Sequence, residues 1–407
     1  MDILIDIHQP STASTASTAS ASRLQTHHRD CKVQRPIKLT TSLFYIKSCK
    51  STTNLQLSNM SVPTLDYANF ASGTKEQRQE FAHALLDSFE RTGFCKLKSH
   101  TFNASQLKDL FTWGQKFFDQ PLEVKSEIPN DKGPKPMRGF TPFRVEEVGK
   151  LHHEDTVRMM KDSKEHFDQG PTYDTDFPNK WPSAPQLSGF QSFMEAFYRQ
   201  CDETCLMLME ALEVAWGIED GSLVARCQPS ATDLRLTHYP AIPVDEMQNG
   251  GTSRIAPHTD FGPITLLFQD STGGLEVEDR STNTFVPIPP TDVTEMIVNV
   301  GDTLTRWTNG KILGGVHQVT TPSAMKGESG LILPPRLSMA YLFKAQRNVS
   351  VGPLPKFVSE TEPAKFSDIT ALEFQRWKNS VVYSLDKKAG EKGVENVIKL
   401  KAGQAGM

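Results

Sequence analysis

From residue 62 onward the apolar positions first recur with a helical period and then, beyond residue 230, with the shorter rhythm of strands. Phe81, Leu85 and Phe89 stand four apart behind Thr74 and Gln77, which have capping-box spacing, and Gly93 supplies a stop, so a helix is expected there. A second helix is predicted over 104–119. After the Pro/Gly-rich segment 133–142, Phe193, Phe197, Cys201, Cys205, Leu208 and Leu212 predict a long helix over 190–216 whose apolar stripe is core packing. Short runs rich in β-branched and aromatic residues then predict strands at 233–239, 264–269, 274–278, 284–288, 296–300, 303–307, 312–320 and 336–343. Strands in direct succession suggest an antiparallel sandwich or jelly roll rather than βαβ units. A last helix over 369–384 can pack back on that body. The expected class is mainly β with helices (α+β): a jelly-roll core, an N-terminal helical region and a C-terminal helix. Four segments are expected: an extension 1–60, a helical and mixed region 61–190, the β core with its long helix 191–350, and a C-terminal segment 351–407.

Composition narrows the function classes. With 407 residues and 37% apolar content the chain can bury a large core without disulfide staples. Its six cysteines form neither a C-x-x-C pair nor a secreted framework, which predicts reduced thiols and a cytoplasmic protein. A net charge of -4 gives no basic field for nucleic acid. The most apolar stretch, Cys205 to Ile218, is broken by Glu210 and Glu213 and falls short of the roughly 20 residues of a membrane span. Neither nucleic acid nor membrane is an expected partner, and nothing indicates an oligomeric state. Residues 1–60 differ from the rest, with a Ser-Thr-Ala triplet repeated through 11–19 and seven Lys/Arg against three Asp and no Glu before Met60. That composition predicts disorder, in an extension or upstream of an internal start at Met60, more than a transit peptide.

His-x-Asp occurs at His153/Asp155, His166/Asp168 and His258/Asp260. The first two lie among charged residues and read as solvated loops or helix faces. The third precedes the apolar run 264–268, and in extended chain residues two apart point to one side, so His258 and Asp260 can converge on one ion. His317, in the strand-like Gly315-Val316-His317-Gln318-Val319, is the candidate third ligand, although such a histidine alone is more often a core residue. Two histidines and a carboxylate leave positions open for substrates on iron(II), and the same set can hold a catalytic zinc. Arg336 and Ser338 share one face of the strand 336–343. A guanidinium among apolar residues needs an anion, either an internal Asp or Glu or the carboxylate of a ligand.

His258-Thr259-Asp260, His317 and Arg336-x-Ser338 together resemble the motifs of the isopenicillin N synthase-like group of 2-oxoglutarate and iron(II) dioxygenases. The likeness extends over most of residues 62–385, through Val62-Pro63-Thr64-Leu65-Asp66, Arg138-Gly139-Phe140, Asn299-Val300-Gly301-Asp302 and Arg306-Trp307-Thr308-Asn309-Gly310. The C-terminal part is similar to fungal members that tailor secondary metabolites. The resemblance implies a double-stranded β-helix with iron on His258, Asp260 and His317, 2-oxoglutarate held by Arg336, Ser338 and Tyr239, and dioxygen as oxidant. It implies hydroxylation, desaturation or rearrangement of a small molecule, and Asp260 disfavours halogenation. Thr237 stands where many members have Asn, and Gln318 follows His317 where Arg is usual. Arg235 and Phe261 are candidate substrate contacts, an anionic substrate being one explanation of Arg235, and Phe140 and Arg144 are candidates for a covering loop. Competing readings are an iron oxidase that dispenses with 2-oxoglutarate and a non-catalytic jelly-roll binding protein.

Overall fold

The computed structural model describes residues 60–131, 135–152 and 154–383. The expectations for 1–59, His153, 384–407 and part of the 133–142 segment therefore lie outside the described residues. The main strands are β1 Thr64–Asp66, β2 Phe94–Lys98, β3 Gly139–Thr141, β4 Glu165–Gln169, β5 Asp233–Tyr239, β6 Ile255–His258, β7 Ile264–Gln269, β8 Leu275–Asp279, β9 Thr284–Pro287, β10 Met296–Val300, β11 His317–Val319 and β12 Arg336–Phe343. The main helices are α1 Lys75–Arg91, α2 Ala104–Phe118, α3 Phe190–Trp216, α4 Asp302–Trp307 and α5 Ala371–Val382. An eight-stranded sheet runs β1-β2-β10-β7-β12-β5-β4-β3, and a four-stranded sheet runs β9-β8-β11-β6. The two face one another across a small core that joins Phe94, Tyr239 and Ile297 of the first to Leu275, Val277 and Val319 of the second. This is the double-stranded β-helix.

Side-chain alternation sorts the large sheet into two faces. Leu234, Leu236, Leu266, Phe268, Val298, Met339, Tyr341 and Phe343 point outward into the main core, where α1, α2 and α3 cover them. The intervening residues, among them Arg235, Thr237, Tyr239, Thr265, Asn299, Arg336, Ser338 and Lys344, line a cavity between the sheets. Register keeps the polar rows together: Tyr239 pairs with Arg336, Thr237 with both Ser338 and His166, and Arg235 with Asp168.

The helix starts follow from local chemistry. Thr74 with Gln77, Asn103 with Gln106 and Thr370 with Glu373 form complete capping boxes before α1, α2 and α5. The long helix spans the predicted range and ends at Gly217, whose φ of 57° suits a glycine C-cap.

Several expectations are corrected. Residues 303–307 are helical, not extended: Leu304 and Trp307, three apart, turn the same way into the core. The strand expected over 312–320 is confined to His317–Val319. His166 and Asp168 are not solvated but wholly buried in β4, because the neighbouring strand β5 sets Thr237 opposite His166 and the Arg235 guanidinium against Asp168 in place of water. Asp155 is exposed, as expected. Phe140 belongs to no covering loop; it is 1% exposed on β3 and packs edge-on against Phe117. Arg144 pairs with Glu246.

Candidate active site

His258 ends β6, Asp260 follows in the turn to β7, and His317 opens β11 directly opposite His258. One ligand atom from each lies within 4.8 Å of the others. The Nδ1 of His258 sits 2.9 Å from the Ala256 carbonyl, and that of His317 lies 3.0 Å from the Gly315 carbonyl. A carbonyl only accepts, so each Nδ1 donates and each Nε2 keeps its lone pair free for a metal. The amide of Asn299 donates to Oδ2 of Asp260 at 2.7 Å, leaving Oδ1, which is 3.8 Å from Nε2 of His258, as the free oxygen.

Burial, with the neighbouring His317, presses the imidazole of His258 down to about 3, the neutral state a ligand needs. Burial would raise Asp260, yet the two histidines and Asn299 keep its carboxyl below the usual range. Two glycines let the chain pass close here. A Cβ on Gly315 would stand 2.6 Å from the Phe94 ring, which meets His317 edge-on, and one on Gly262 would overlap the Phe343 carbonyl oxygen.

The triad opens into a cavity of about 120 Å³ that Arg336, Ser338 and Tyr239 also line. Arg336 is 1% exposed; its Nη2 donates to Gln269 at 3.0 Å, while Nε and Nη1 have no partner. Its Cζ lies 4.9 Å from the centre of the Tyr239 ring. Of the two open possibilities for its counter-charge, an internal acid is therefore absent among the described residues, and the unpartnered nitrogens suit a ligand's carboxylate.

The same cavity is lined further along by Arg235, Thr237, Phe261, Met137, Val148, Lys164, Asp233, Lys344, Gln375 and Asn379. Arg235 needs no anionic substrate: its Nε is 2.7 Å from Asp168 and its Nη1 2.9 Å from Glu146, so its fork is filled from within. Glu146 also accepts from Lys164 at 2.7 Å and from Tyr383 at 2.7 Å, and Lys164 reaches Asp162 at 2.8 Å. Burial would raise the carboxyl of Glu146, but Arg235 and Lys164 hold it well below its ordinary value. Asp233 pairs with both Arg138 and Lys344. Phe261 adjoins the triad, with the ammonium of Lys378 5.2 Å from its ring centre and Asp302 2.6 Å from that ammonium.

Sequence reasoning missed several of these residues. Asn299 carried one signal, being the only polar side chain in Met296–Val300. Gln375 and Asn379 lie one helical turn apart on α5, a spacing that marked a shared face but not what it faced. Glu146, in a segment outside any strand or helix, carried none.

Comparison with known proteins agrees with this geometry. Residues 62–184 match the family model of the non-haem dioxygenase in morphine synthesis N-terminal region, and residues 219–345 match that of the 2OG-Fe(II) oxygenase superfamily. The chain is 43% identical over 332 residues to the 2-oxoglutarate-dependent dioxygenase ecdK of Aspergillus rugulosus, covering 80% of this chain and 100% of that protein. It is 41% identical over 345 residues to the 2-oxoglutarate-dependent dioxygenase imqE of Aspergillus flavus, covering 79% and 95%. Among solved structures, a full-length Neurospora crassa protein in complex with alpha-KG and thymine superposes with a TM-score of 0.71 at 31% identity, covering 81% of this chain and 99% of that one.

Proposed function

Because the chain belongs to the 2OG-Fe(II) oxygenase superfamily and is an iron(II)- and 2-oxoglutarate-dependent dioxygenase, we propose that His258, Asp260 and His317 hold its iron and that Arg336, Ser338 and Tyr239 hold the far carboxylate of 2-oxoglutarate. The substrate is a small organic molecule that is hydroxylated, desaturated or rearranged, in secondary-metabolite biosynthesis, a reading supported by the likeness to fungal 2-oxoglutarate-dependent dioxygenases. The observation that carries the assignment is one cavity containing both a preset ligand triad and a buried guanidinium with two unpartnered nitrogens. A buried unpaired cation is costly, and a planar fork matches a carboxylate.

Iron, 2-oxoglutarate and dioxygen together supply the oxidising power, with succinate and carbon dioxide as co-products. The chain supplies placement. The Ala256 and Gly315 carbonyls fix both imidazoles in the tautomer that binds through Nε2. Asn299 occupies one oxygen of Asp260 so that the other faces the ion. Phe261 offers a ring to the substrate, and Arg235 meets it as part of a wall whose charges are already answered, which favours an uncharged substrate surface there over an anion. Among the described residues no helix is long and apolar enough to cross a membrane. A cytoplasmic location is supported by Cys95, Cys201, Cys205 and Cys227, which are free and buried.

The test is anaerobic reconstitution with iron(II) and 2-oxoglutarate, following the weak visible charge-transfer band of the chelate. The wild type is expected to develop the band and His317→Ala to lose it. A band that survives in His317→Ala overturns the triad, and bound iron without a band in the wild type overturns the carboxylate role of Arg336.

A further inference from the structure

A second arginine stands beside Arg336 in the same condition. Arg254, between Ser253 and the start of β6, is 0% exposed. Its Nη2 donates to the Pro334 carbonyl, and its Nε and Nη1 have no partner. Its Cζ lies 5.9 Å from the centre of the Tyr239 ring, over which Arg336 also lies at 4.9 Å. Asp270 is the carboxylate nearest in electrostatic effect, but its oxygens accept from the backbone N–H groups of Thr272 and Leu337.

A buried arginine whose donors are answered from within looks different. Arg138, equally buried, meets Asp174, Asp233 and the carbonyls of Met137 and Phe177. Burial first, and the charge of Arg336 second, press Arg254 down to about 10, so it remains a cation at neutral pH. Two buried guanidiniums that repel one another beside a shared tyrosine ring gain from the entry of an anion, because charges act over longer range where water is excluded.

We propose that Arg254 is a positioning residue of the co-substrate subsite: from beside the Tyr239 ring it adds a second positive charge that tightens the hold of Arg336, Ser338 and Tyr239 on a distal carboxylate. The proposal rests on the assignment of 2-oxoglutarate to that subsite. Arg254 does not line the cavity, so its effect passes through the field and through the ring it braces, not through contact with the ligand.

The experiment is an anaerobic titration of the iron(II)-loaded protein with 2-oxoglutarate and, separately, with 2-oxobutyrate, which keeps the chelating end and lacks the far carboxylate. The chelate band gives a Kd for each without turnover. Arg254→Met is expected to raise the Kd for 2-oxoglutarate at least tenfold and that for 2-oxobutyrate less than twofold. Arg254→Lys, which keeps the charge, is expected to stay within threefold of the wild type for both. Unchanged 2-oxoglutarate affinity in Arg254→Met overturns the proposal, as does equal weakening of both keto acids or equal loss in the Met and Lys variants. Should Arg254→Met fail to fold, Arg254→Gln replaces it; should neither neutral variant fold, Arg254→Lys decides, a tenfold loss overturning the idea and wild-type affinity supporting it. A wild type that binds iron but gives no band with either keto acid overturns the co-substrate subsite itself, an outcome distinct from failure of Arg254 alone.

Discussion

One hydrogen bond, from Asn299 to Oδ2 of Asp260, determines which carboxylate oxygen is left for an ion. Partners of this kind orient a ligand and sustain its basicity. Asn299→Ala is expected to weaken iron(II) binding by roughly 10- to 100-fold, read by anaerobic metal titration, with the fold intact by circular dichroism. Arg235 has a different weight. Removing it as Arg235→Met leaves Asp168 and Glu146 buried without their shared cation, and the expected loss is about 3 kcal/mol in denaturant unfolding. That His258, Asp260, His317 and Arg336 meet at one cavity was legible in the sequence because two-residue alternation and apolar surroundings are local signals. The partners of Arg235 were not legible, since Asp168 sat in a charged run that reads as solvated and Glu146 lies far away in sequence. Arg254 was equally silent: what surrounds it, Tyr239 and Pro334, lies far from it in sequence.

At the scale of elements, α5 brings Gln375 and Asn379 to the cavity, and its start depends on Thr370 and Glu373. Thr370→Ala is expected to destabilise the helix by about 1 kcal/mol, seen as faster amide exchange confined to residues 371–382. The strands 233–239, 264–269, 296–300 and 336–343 were legible to the residue because each has an apolar face against helices. β4 was missed because Phe167 is its only apolar residue, and Glu165, His166 and Asp168 make its polar content look external. Alternation reports that one face is polar; it does not distinguish a face toward water from a face toward a cavity. The misreading of 303–307 has another cause: Leu304 and Trp307 stand at helical spacing, but a run of five residues is too short for its period to be read.

For the molecule as a whole, the charged wall predicts its response to acid. Burial would raise the carboxyl of Asp168, but Arg235 and His166 bring it down to about 2 from an ordinary 3.8. A carboxyl lowered on folding stabilises the native state above its unfolded value, and the contribution is lost as pH falls toward the folded one. Asp168 thus contributes about 2 kcal/mol at neutral pH that disappears between roughly pH 4 and 2, and Glu146 acts in the same direction. Unfolding free energies measured from pH 7 to pH 2 are expected to drop over that window, and the drop is expected to shrink in Asp168→Asn. The same wall sets where this enzyme can change its tastes. Arg235, Lys164 and Glu146 form one buried ion-pair group and Asp233 and Lys344 belong to another, so an inherited change in any of them loosens the fold before it alters what enters. Met137, Val148, Phe261, Gln375 and Asn379 border the same space without belonging to those ion pairs. Evolution toward a new substrate has its cheapest steps at those five positions, and a lineage can diversify there while its metal chemistry stays fixed.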